Sequence, residues 1–310
     1  MNTSLRYLTR ADVRRLLPGW HTQIDLAERT YVDLAAGLIE MPPKPGIHPR
    51  PDAFIHAMPA WIQSTDVAAL KWVSGYPSNK ERGIPYINGL LILNDAETGV
   101  PLALMDCVEI TAARTAAASG VCVRRWAPEG WHTAAILGCG EQGAYHAAML
   151  QALNPEVEIV AYDPTPARAE ALPGRARVAT SVADAVSAAD VIISAAPIVR
   201  EPHPTVHPDM LRPKHLLLPI DFDAVIARDA VEGADLFVTD HLAQFAHYRT
   251  LGHFTDWPAP ADAVGARVYD GEHPDRVVAC NLGVGALDAA FAAHVYESAI
   301  ATETGVSLPL

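Results

Sequence analysis

The 310-residue sequence has only four cysteines, and no two of them stand in a C-x-x-C arrangement. Their scattered placement, at positions 107, 122, 139 and 280, argues against a disulfide framework and is typical of a reduced, cytoplasmic chain. Basic residues are also few, since 23 Lys and Arg against 36 Asp and Glu give a formal net charge of −13. That balance disfavours nucleic acid and anionic membrane as partners, so any anionic substrate must be held by a few local cations.

Long apolar runs are missing as well. None reaches membrane-spanning length, and the first residues lack the uninterrupted apolar segment of a signal peptide, so we expect a soluble cytoplasmic protein without a membrane partner. A metal centre is not expected either. The one tight histidine pair, His203 and His207, lies among prolines, and neither a helical H-E-x-x-H motif nor a nearby third ligand accompanies it.

A glycine motif, in contrast, is present in a suitable context. An apolar run at 134–137 ends in G-x-G-x-x-G, formed by Gly138, Gly140 and Gly143, and an Ala-rich helical stretch follows. In such a strand–turn–helix unit the glycines allow a tight turn and bring a pyrophosphate close to the helix N-terminus. The alternative is a glycine turn in an α/β protein that binds no cofactor.

An acidic residue stands where a dinucleotide site needs one. Asp163 follows Gly143 by twenty residues and comes directly after a second apolar run, at 157–162. A carboxylate in that place can accept hydrogen bonds from both ribose hydroxyls and would repel a 2′-phosphate, so NAD is favoured over NADP.

Periodicity divides the chain into parts of different character. A capping box at Thr9 and Asp12 predicts a short first helix, a second helix is expected at about 24–36, and residues 108–125 read as a long Ala-rich helix. Between the second helix and the long one, turns separate short strand-like runs, which favours an antiparallel or mixed sheet. After the glycine motif strands and helices alternate, as in a parallel, doubly wound sheet. A last helix is expected over residues 281–302.

Several motifs, taken together, resemble the ornithine cyclodeaminase/mu-crystallin family. They are Met-Pro-Ala at 58–60, Lys-Trp-Val-Ser at 71–74, Gly-Leu-Leu-Ile-Leu-Asn-Asp at 89–95, Arg-Thr-Ala-Ala at 114–117, the glycine motif at 138–143 and Gly-Val-Gly-Ala-Leu-Asp at 283–288. The resemblance covers most of the chain. Members of this family are NAD(P)-dependent and include ornithine and lysine cyclodeaminases, alanine dehydrogenases and ketimine reductases.

The resemblance implies an α/β architecture of two domains. A Rossmann-type NAD-binding domain, residues 127–278, is expected to be inserted into an α+β substrate-binding and dimerisation domain, residues 1–126, which residues 279–310 complete. A homodimer is implied as well. The expected cofactor contacts are Gly138, Gly140, Glu141, Gln142, Gly143, Asp163, Arg168, Ala195 and Ala196.

Carboxylate-binding cations are also implied by the resemblance. Lys71 and Arg114 match the family's two cations, with Lys71 counted among the catalytic residues, and Lys44 falls where many members have Arg. These residue types suit an α-amino or α-imino acid, because Arg binds a carboxylate through two N–H groups and Lys binds it as a point charge. Alternatives remain, namely a helix-surface cation for Arg114 and a solvated loop residue for Lys44.

The family's catalytic aspartate follows an apolar strand after Pro213, and the match falls on Asp223, with Asp221 as a rival. Either could hold the substrate nitrogen or exchange a proton with it. A third possibility is that one of them caps a helix expected to begin near Ala224. The family often continues Asp-x-Pro-Gly-Lys-x-Glu, and this chain departs from that pattern.

A second departure concerns the substrate. Ornithine cyclodeaminases tend to have a glutamate two residues before Met58, and this chain has His56. Histidine would hold a distal ammonium poorly and a carbonyl or carboxylate well, which weakens ornithine as the substrate. His56 could instead be a strand histidine without a ligand.

These features predict an NAD-dependent imine (ketimine) reductase or amino-acid dehydrogenase that acts at Cα of a small amino or imino acid. The first alternative is an ornithine cyclodeaminase that forms proline and ammonia with catalytic NAD. The second is a non-catalytic, ligand-binding protein of the mu-crystallin type.

Overall fold

The structure is a computed structural model that describes residues 4–50, 52–174, 176–199 and 201–310. It divides into two compact units. Unit 1 comprises Met1–Arg114 with Gly283–Leu310, and unit 2 comprises Thr115–Leu282. The first boundary therefore falls inside the long helix predicted at 108–125 rather than after it.

Unit 1 contains one mixed sheet and helices from both ends of the chain. Its strands are β1 (Ser4–Leu8), β2 (Ile39–Glu40), β3 (Gly46–Ile47), β4 (Phe54–Ile62), β5 (Val67–Gly75), β6 (Ile87–Asp95), β7 (Pro101–Asp106) and the last strand of the chain, β16 (Val306–Pro309). Its helices are α1 (Arg10–Leu16), α2 (Trp20–Ala35), the start of α3 (Val108–Trp126) and the last helix, α10 (Gly285–Ala301).

The sheet of unit 1 follows the order β16-β1-β7-β6-β5-β4-β2, with β3 paired to β4. Among the described residues its pairs are antiparallel except β1 with β7. The short strand-like runs expected between the second helix and the long one include β4 to β7, so the predicted mixed sheet is confirmed. Met58 on β4 is the register partner of Lys71 on β5, and His56 is the partner of Val73. Because side chains alternate along a strand, these two pairs lie on the same face of the sheet.

The helices of unit 1 lie close to the positions that local sequence signals predict. Thr9 accepts a hydrogen bond from the Asp12 N–H, and the Asp12 carboxylate accepts one from the Thr9 N–H, so the predicted capping box exists at the start of α1. The last helix was predicted from 281 and begins at Gly285. α10 packs on β4 and β5, and this contact covers the face that carries Lys71.

In the described part of unit 2 all the strand pairs of the sheet are parallel. Its strands are β8 (Thr133–Leu137), β9 (Glu158–Tyr162), β10 (Ala176–Val178), β11 (Val191–Ser194), β12 (His215–Pro219), β13 (Leu236–Thr239), β14 (Asp262–Ala263) and β15 (Arg276–Cys280). Its helices are α4 (Glu141–Leu153), α5 (Pro166–Glu170), α6 (Val182–Val186), α7 (Arg228–Glu232), α8 (Leu242–Thr250) and α9 (Val264–Arg267), in addition to the second part of α3.

The strand order in unit 2 is β10-β9-β8-β11-β12-β15-β13-β14. β8 and β11 are thus neighbours, while β9 and β10 lie on the other side of β8. This reversal of direction is the switch point at which doubly wound sheets bind dinucleotides. The Rossmann-type architecture predicted for this part of the chain is confirmed, since the central strands are buried and alternate with helices along the chain.

One local expectation was wrong. No helix begins near Ala224: residues 221–225 form turns, and α7 starts at Arg228 with Ala227 as its N-cap. Neither Asp221 nor Asp223 therefore caps a helix. Among the helices of the described ranges, none has the length and apolarity needed to cross a membrane.

Candidate functional site

The glycine motif forms a turn between β8 and α4. Gly138 has φ +96°, a left-handed conformation that side-chain-bearing residues rarely adopt, and a Cβ on it would collide with the main chain of Ala195. The main chains after β8 and β11 therefore approach each other closely at the switch point. A Cβ on Gly140, in contrast, would meet nothing within 4 Å, so the second glycine borders open space.

The N-terminus of α4 has the features that a dinucleotide phosphate needs. Gly140 is its N-cap and offers no side-chain hydrogen bond to the first N–H groups of the helix. The Oε1 atom of Gln142, in the first turn, is buried without a hydrogen-bond partner among the described residues. Open space at Gly140 and uncapped N–H groups fit the pyrophosphate of NAD. Glu141, the first residue of α4, is exposed.

Asp163 lies directly after β9, beside this turn. Its Oδ2 atom accepts the Cys139 N–H at 3.0 Å and its Oδ1 atom accepts the Thr165 N–H at 2.8 Å. Arg168, on α5, has its Nη1 atom 3.9 Å from Asp163 Oδ1 and is partly exposed. The carboxylate is 7% exposed and stands at the end of the strand next to β8, which fits the ribose of NAD.

Asp221 is a buried carboxyl group of unit 2 with an altered acidity. Its Oδ1 atom accepts the Ser194 hydroxyl at 2.7 Å, and its Oδ2 atom accepts the Ala196 N–H at 2.9 Å. Burial raises the pKa of Asp221 to about 7, although both hydrogen bonds act in the opposite direction. Asp221 thus fixes the segment after β11 and can carry a proton near neutral pH.

Asp223 has a different environment. Its Oδ2 atom accepts the Phe254 N–H at 2.7 Å, and its Oδ1 atom lies 3.4 Å from Nδ1 of His253. The Asp223 side chain is buried, while that of His253 is 17% exposed. Sequence reasoning did not find His253, because no motif surrounds it.

In unit 1 the structure brings Lys71 and Arg114 together around a third residue, Asp288. The Nζ atom of Lys71 lies 2.7 Å from Oδ2 of Asp288, and the Nε atom of Arg114 lies 3.2 Å from Oδ1 of the same carboxylate. Lys71 and Asp288 are each 1% exposed. β5, α3 and α10 supply one member each, so the cluster depends on the packing of three elements.

Two further features define this cluster. Lys71 donates to the Thr111 hydroxyl on α3 at 3.3 Å. Gly283, just before α10, has φ +81°, and a Cβ there would collide with the Arg114 guanidinium, so only glycine allows the guanidinium to lie against the main chain.

Burial lowers the pKa of Lys71 to about 8, and the positive charge of Arg114 acts in the same direction, while Asp288 opposes both. The ammonium form of Lys71 therefore prevails at neutral pH and is lost in the alkaline range. The Arg114 side chain is 8% exposed, so the alternative of a helix-surface cation does not describe it.

Lys44 precedes β3, and His56 lies on β4, the strand that pairs with β3. Lys44 is half-buried in the loop before β3. His56 is half-buried on β4, opposite Gly46 in register, and its ring stacks on Phe54 with 4.3 Å between centroids. His56 shares the face of β4 that also carries Met58, the register partner of Lys71.

The structure thus assembles two separate groups of predicted residues. In unit 2 the glycine turn, Ala195, Ala196, Asp163 and Asp221 meet at the carboxyl ends of neighbouring strands. In unit 1 Lys71 and Arg114 share Asp288, whose role was not predicted although it ends the Gly-Val-Gly-Ala-Leu-Asp motif. Within the described residues no group of three or more His, Cys, Asp or Glu side chains could hold a metal.

Comparison with known proteins gives three findings. The model of the ornithine cyclodeaminase/mu-crystallin family matches residues 6–302. The nodulation efficiency protein NfeD of Rhizobium meliloti is 34% identical over 96% of this chain and 97% of its own. Two solved structures are each 25% identical. They are Δ1-pyrroline-2-carboxylate reductase of Thermococcus litoralis with NADH and L-proline (TM-score 0.84, covering 98% of this chain and 100% of that one) and an archaeal alanine dehydrogenase dimer with NAD (TM-score 0.85, covering 99% of both).

Proposed function

Because the chain belongs to the ornithine cyclodeaminase/mu-crystallin family, we propose that it is an NAD(H)-dependent oxidoreductase that reduces a small α-imino acid or oxidises the corresponding amino acid. The related structures with NADH and L-proline and with NAD support this chemistry. The observation that carries the proposal is the buried cluster of unit 1, in which two cations share a single carboxylate. Burying cations is costly, and an anionic substrate would provide the missing partner.

In the proposed site Lys71 and Arg114 bind the carboxylate of the substrate. Arg114 supplies planar, directional N–H donors, and the Lys71 ammonium supplies a compact charge. Such anchoring fixes the α-carbon, which is the reacting atom of an α-imino or α-amino acid. Lys44 and His56 are proposed to contribute to substrate selection, with His56 in place of the acidic residue that a distal ammonium would need.

Unit 2 is proposed to hold NAD. The N–H groups at the start of α4 and the turn from Gly138 to Gly143 would bind the pyrophosphate, with Glu141 and Gln142 in the first helical turn. Asp163 would bind the ribose, with Arg168 beside it, and Ala195 and Ala196 would lie against the cofactor. When bound, the cofactor supplies or accepts the hydride at the substrate α-carbon.

The proton that accompanies reduction is proposed to come from Asp221. A general acid works best when its pKa is near the working pH, and burial brings the pKa of Asp221 to about 7. Asp223, the residue favoured from the sequence, is kept as the rival. Its carboxylate accepts the Phe254 N–H and lies next to His253, an arrangement that also positions the loop before Trp257.

A homodimer is proposed on the basis of the outer face of the unit 1 sheet. Trp72 and Leu90 are register partners on β5 and β6, and they are 47% and 41% exposed. Trp61, on β4, is 38% exposed. Large apolar side chains on one sheet face are typical of an interface, and the related alanine dehydrogenase is a dimer. We also propose a reducing compartment such as the cytoplasm, which the four free, buried cysteines support.

One substrate panel tests the reaction class. Purified protein is incubated with NADH and cyclic imines such as Δ1-pyrroline-2-carboxylate, with keto acids plus amines, and, in the oxidative direction, with NAD and amino acids that include L-ornithine. Nicotinamide absorbance and released ammonia are read in the same sample. Imine reduction consumes NADH without releasing ammonia, and amino-acid oxidation produces NADH.

Each alternative has its own signature in that panel. Ornithine cyclodeamination releases ammonia without a net change in NADH. A protein that binds NADH but turns over no member of the panel would be a ligand-binding protein, and the proposed function would then be wrong.

A further inference from the structure

Asp288 lies in the first turn of α10 and contacts both cations of the buried cluster. We propose that Asp288 is a positioning residue that holds the Lys71 ammonium and the Arg114 guanidinium side by side as one carboxylate-binding pair. This inference rests on the proposed function, because it assigns a role within the same site. The sequence motifs had assigned no role to Asp288.

The geometry supports a bridging role. Each carboxylate oxygen of Asp288 serves a different cation, Oδ2 at 2.7 Å from Lys71 Nζ and Oδ1 at 3.2 Å from Arg114 Nε. A bridging carboxylate fixes the distance between the two cations, since both contacts share one rigid, planar group. Lys has three N–H donors and Arg has five, so one carboxylate does not exhaust either side chain.

The charges of the cluster point to one bound anion. Two cations and one carboxylate leave a single net positive charge when Lys71 is protonated. One substrate carboxylate would therefore neutralise the cluster, whereas without Asp288 two like charges would face each other in a buried place. Asp288 in this way allows both cations to be kept in the core and still leaves one unit of charge for the substrate.

The same carboxylate controls the charge of Lys71. The groups that face the ammonium are Asp288 on α10, Arg114 and Thr111 on α3, and the Cys107 thiol just before α3. The register partners on the neighbouring strands, Met58 and Leu91, are apolar. Burial and Arg114 lower the pKa of Lys71, and Asp288 is the main group that raises it. Removing the Asp288 charge is therefore expected to lower the pKa of Lys71 further.

The experiment uses the small number of lysines in the full-length protein. The sequence has four lysines, at positions 44, 71, 80 and 214, so selective 13Cε-lysine labelling gives four signals, and Lys71→Arg identifies the one from Lys71. In wild-type protein this signal should titrate near pH 8. In Asp288→Asn it should titrate at clearly lower pH, and in Asp288→Glu, which keeps the charge, it should return close to the wild-type value.

The matched control is Glu109→Gln. Glu109 is also a fully buried carboxylate of unit 1, but it pairs with Arg10 and Arg14. Its loss should cost stability as Asp288→Asn does, while the titration of Lys71 stays at its wild-type position. An equal shift of the Lys71 titration in both variants, or no shift in Asp288→Asn, would overturn the proposal.

Binding provides a readout that does not depend on turnover. Calorimetry measures the affinity of the NADH-loaded protein for L-proline, L-alanine and pyrrole-2-carboxylate, three monocarboxylate probes. Asp288→Asn should weaken the binding of whichever probes the wild type binds by about tenfold or more, with the affinity for NADH unchanged. If Asp288→Asn does not fold, Asp288→Glu decides, because moving the carboxylate by one methylene should still weaken probe binding; unaltered affinity would contradict the positioning role.

These outcomes separate the two proposals. Failure of the substrate panel combined with the expected Lys71 shift and weaker probe binding would reject the enzymatic function and leave the role of Asp288 standing. If the wild-type protein reduces imines while Asp288→Asn keeps normal probe binding, the enzymatic function stands and the role of Asp288 is rejected. A wild-type protein that binds none of the three probes would overturn the carboxylate-binding pair itself.

Discussion

The carboxylate of Asp163 accepts the main-chain N–H of Cys139 at 3.0 Å, and this bond ties the end of β9 to the glycine turn after β8. The same carboxylate is the group proposed to bind the ribose of NAD. Asp163 therefore has one contact that shapes the turn and one proposed contact with the cofactor, and substitutions can separate the two.

Asp163→Asn should relax the preference for NADH over NADPH. Asparagine keeps an oxygen that can accept the Cys139 N–H, but it no longer repels a 2′-phosphate. We expect the dissociation constant for NADPH divided by that for NADH to fall by about tenfold or more. Fluorescence titration with each nucleotide measures both constants. Asp163→Ala should in addition lower the thermal stability of the protein, since the turn loses its hydrogen bond. An unaltered preference in both variants would remove Asp163 from the ribose site.

Arg114→Ala should impair substrate use and leave NADH binding nearly unchanged. The loss of hydrogen bonds from a charged donor corresponds to a rise in KM of about tenfold to a hundredfold for the active substrate of the panel. Arg114→Lys, which keeps the charge without the planar donors, should lie between wild type and alanine. Arg124→Ala, an exposed arginine on the same helix, is the control and should alter neither quantity. Equal loss of substrate and NADH binding would mean that Arg114 is structural.

Asp221→Asn should reduce kcat by about a hundredfold or more, because a positioned general acid contributes that much. Asp223 is the rival candidate for the general acid, and Asp223→Asn should have the smaller effect on kcat. Steady-state kinetics with the same imine and saturating NADH measures both. The reverse order of the two effects would assign the proton to Asp223 and support the assignment made from the sequence.

Asp221 should also make the stability of the protein depend on pH. Its pKa is raised from 3.8 to about 7 in the folded state, so between these values the folded chain holds a proton that the unfolded chain has lost. That contribution is fully present below about pH 4 and is lost as the pH rises to about 7. The free energy of unfolding of wild type relative to Asp221→Asn should therefore fall across this range, by on the order of 4 kcal/mol, in urea titrations at successive pH values.

A control for this pH dependence is Ser194→Ala. The Ser194 hydroxyl donates to Asp221 and lowers its pKa, so its removal should extend the loss of stability to a higher pH. A difference between wild type and Asp221→Asn that stays constant with pH would show that the Asp221 carboxyl is ionised throughout. Asparagine can replace only one of the two acceptor oxygens, and that loss is independent of pH.

Trp72→Lys should dissociate the proposed dimer. A lysine at the centre of an apolar sheet face would have to lose its hydration in the interface, and an aromatic hot spot contributes about 2 kcal/mol or more. Light scattering after size-exclusion chromatography should show a monomer at concentrations where wild type is dimeric. Leu251→Lys, at an exposed apolar position in unit 2, should leave the mass unchanged. A monomeric wild-type protein would contradict the homodimer.

Local sequence signals predicted the elements that local physics determines. The capping box of α1, the glycine turn after β8 and the strands β4 to β7 depend on residues that are close in sequence, so they could be recognised without the structure. The short outer strands could not. β16 pairs with β1 at the opposite end of the chain, and a four-residue exposed strand has no periodicity of its own.

The two cations of the candidate site could be predicted from the sequence. The carboxylate that pairs with both of them could not. Lys71 and Arg114 stand in recognisable motifs, but Arg114 and Asp288 are 174 positions apart, and only the packing of α10 brings them together. The proposal of Asp221 in preference to Asp223 also rests on the structure. Two aspartates separated by one residue look alike in a sequence, whereas the structure gives Asp221 the donors of Ser194 and Ala196 and a pKa that burial raises to about 7.

Unit 1 is discontinuous, and this affects the order in which the site can form on the ribosome. Unit 2 is continuous in sequence from Thr115 to Leu282 and can fold as soon as those residues emerge, whereas unit 1 must wait for Gly283–Leu310. Until α10 and β16 are synthesised, the Lys71 ammonium lacks Asp288 as its buried partner, and β1 lacks β16 as its neighbour in the sheet. The nascent chain can therefore complete unit 2 before unit 1, because unit 1 closes only after Gly283–Leu310 has been synthesised.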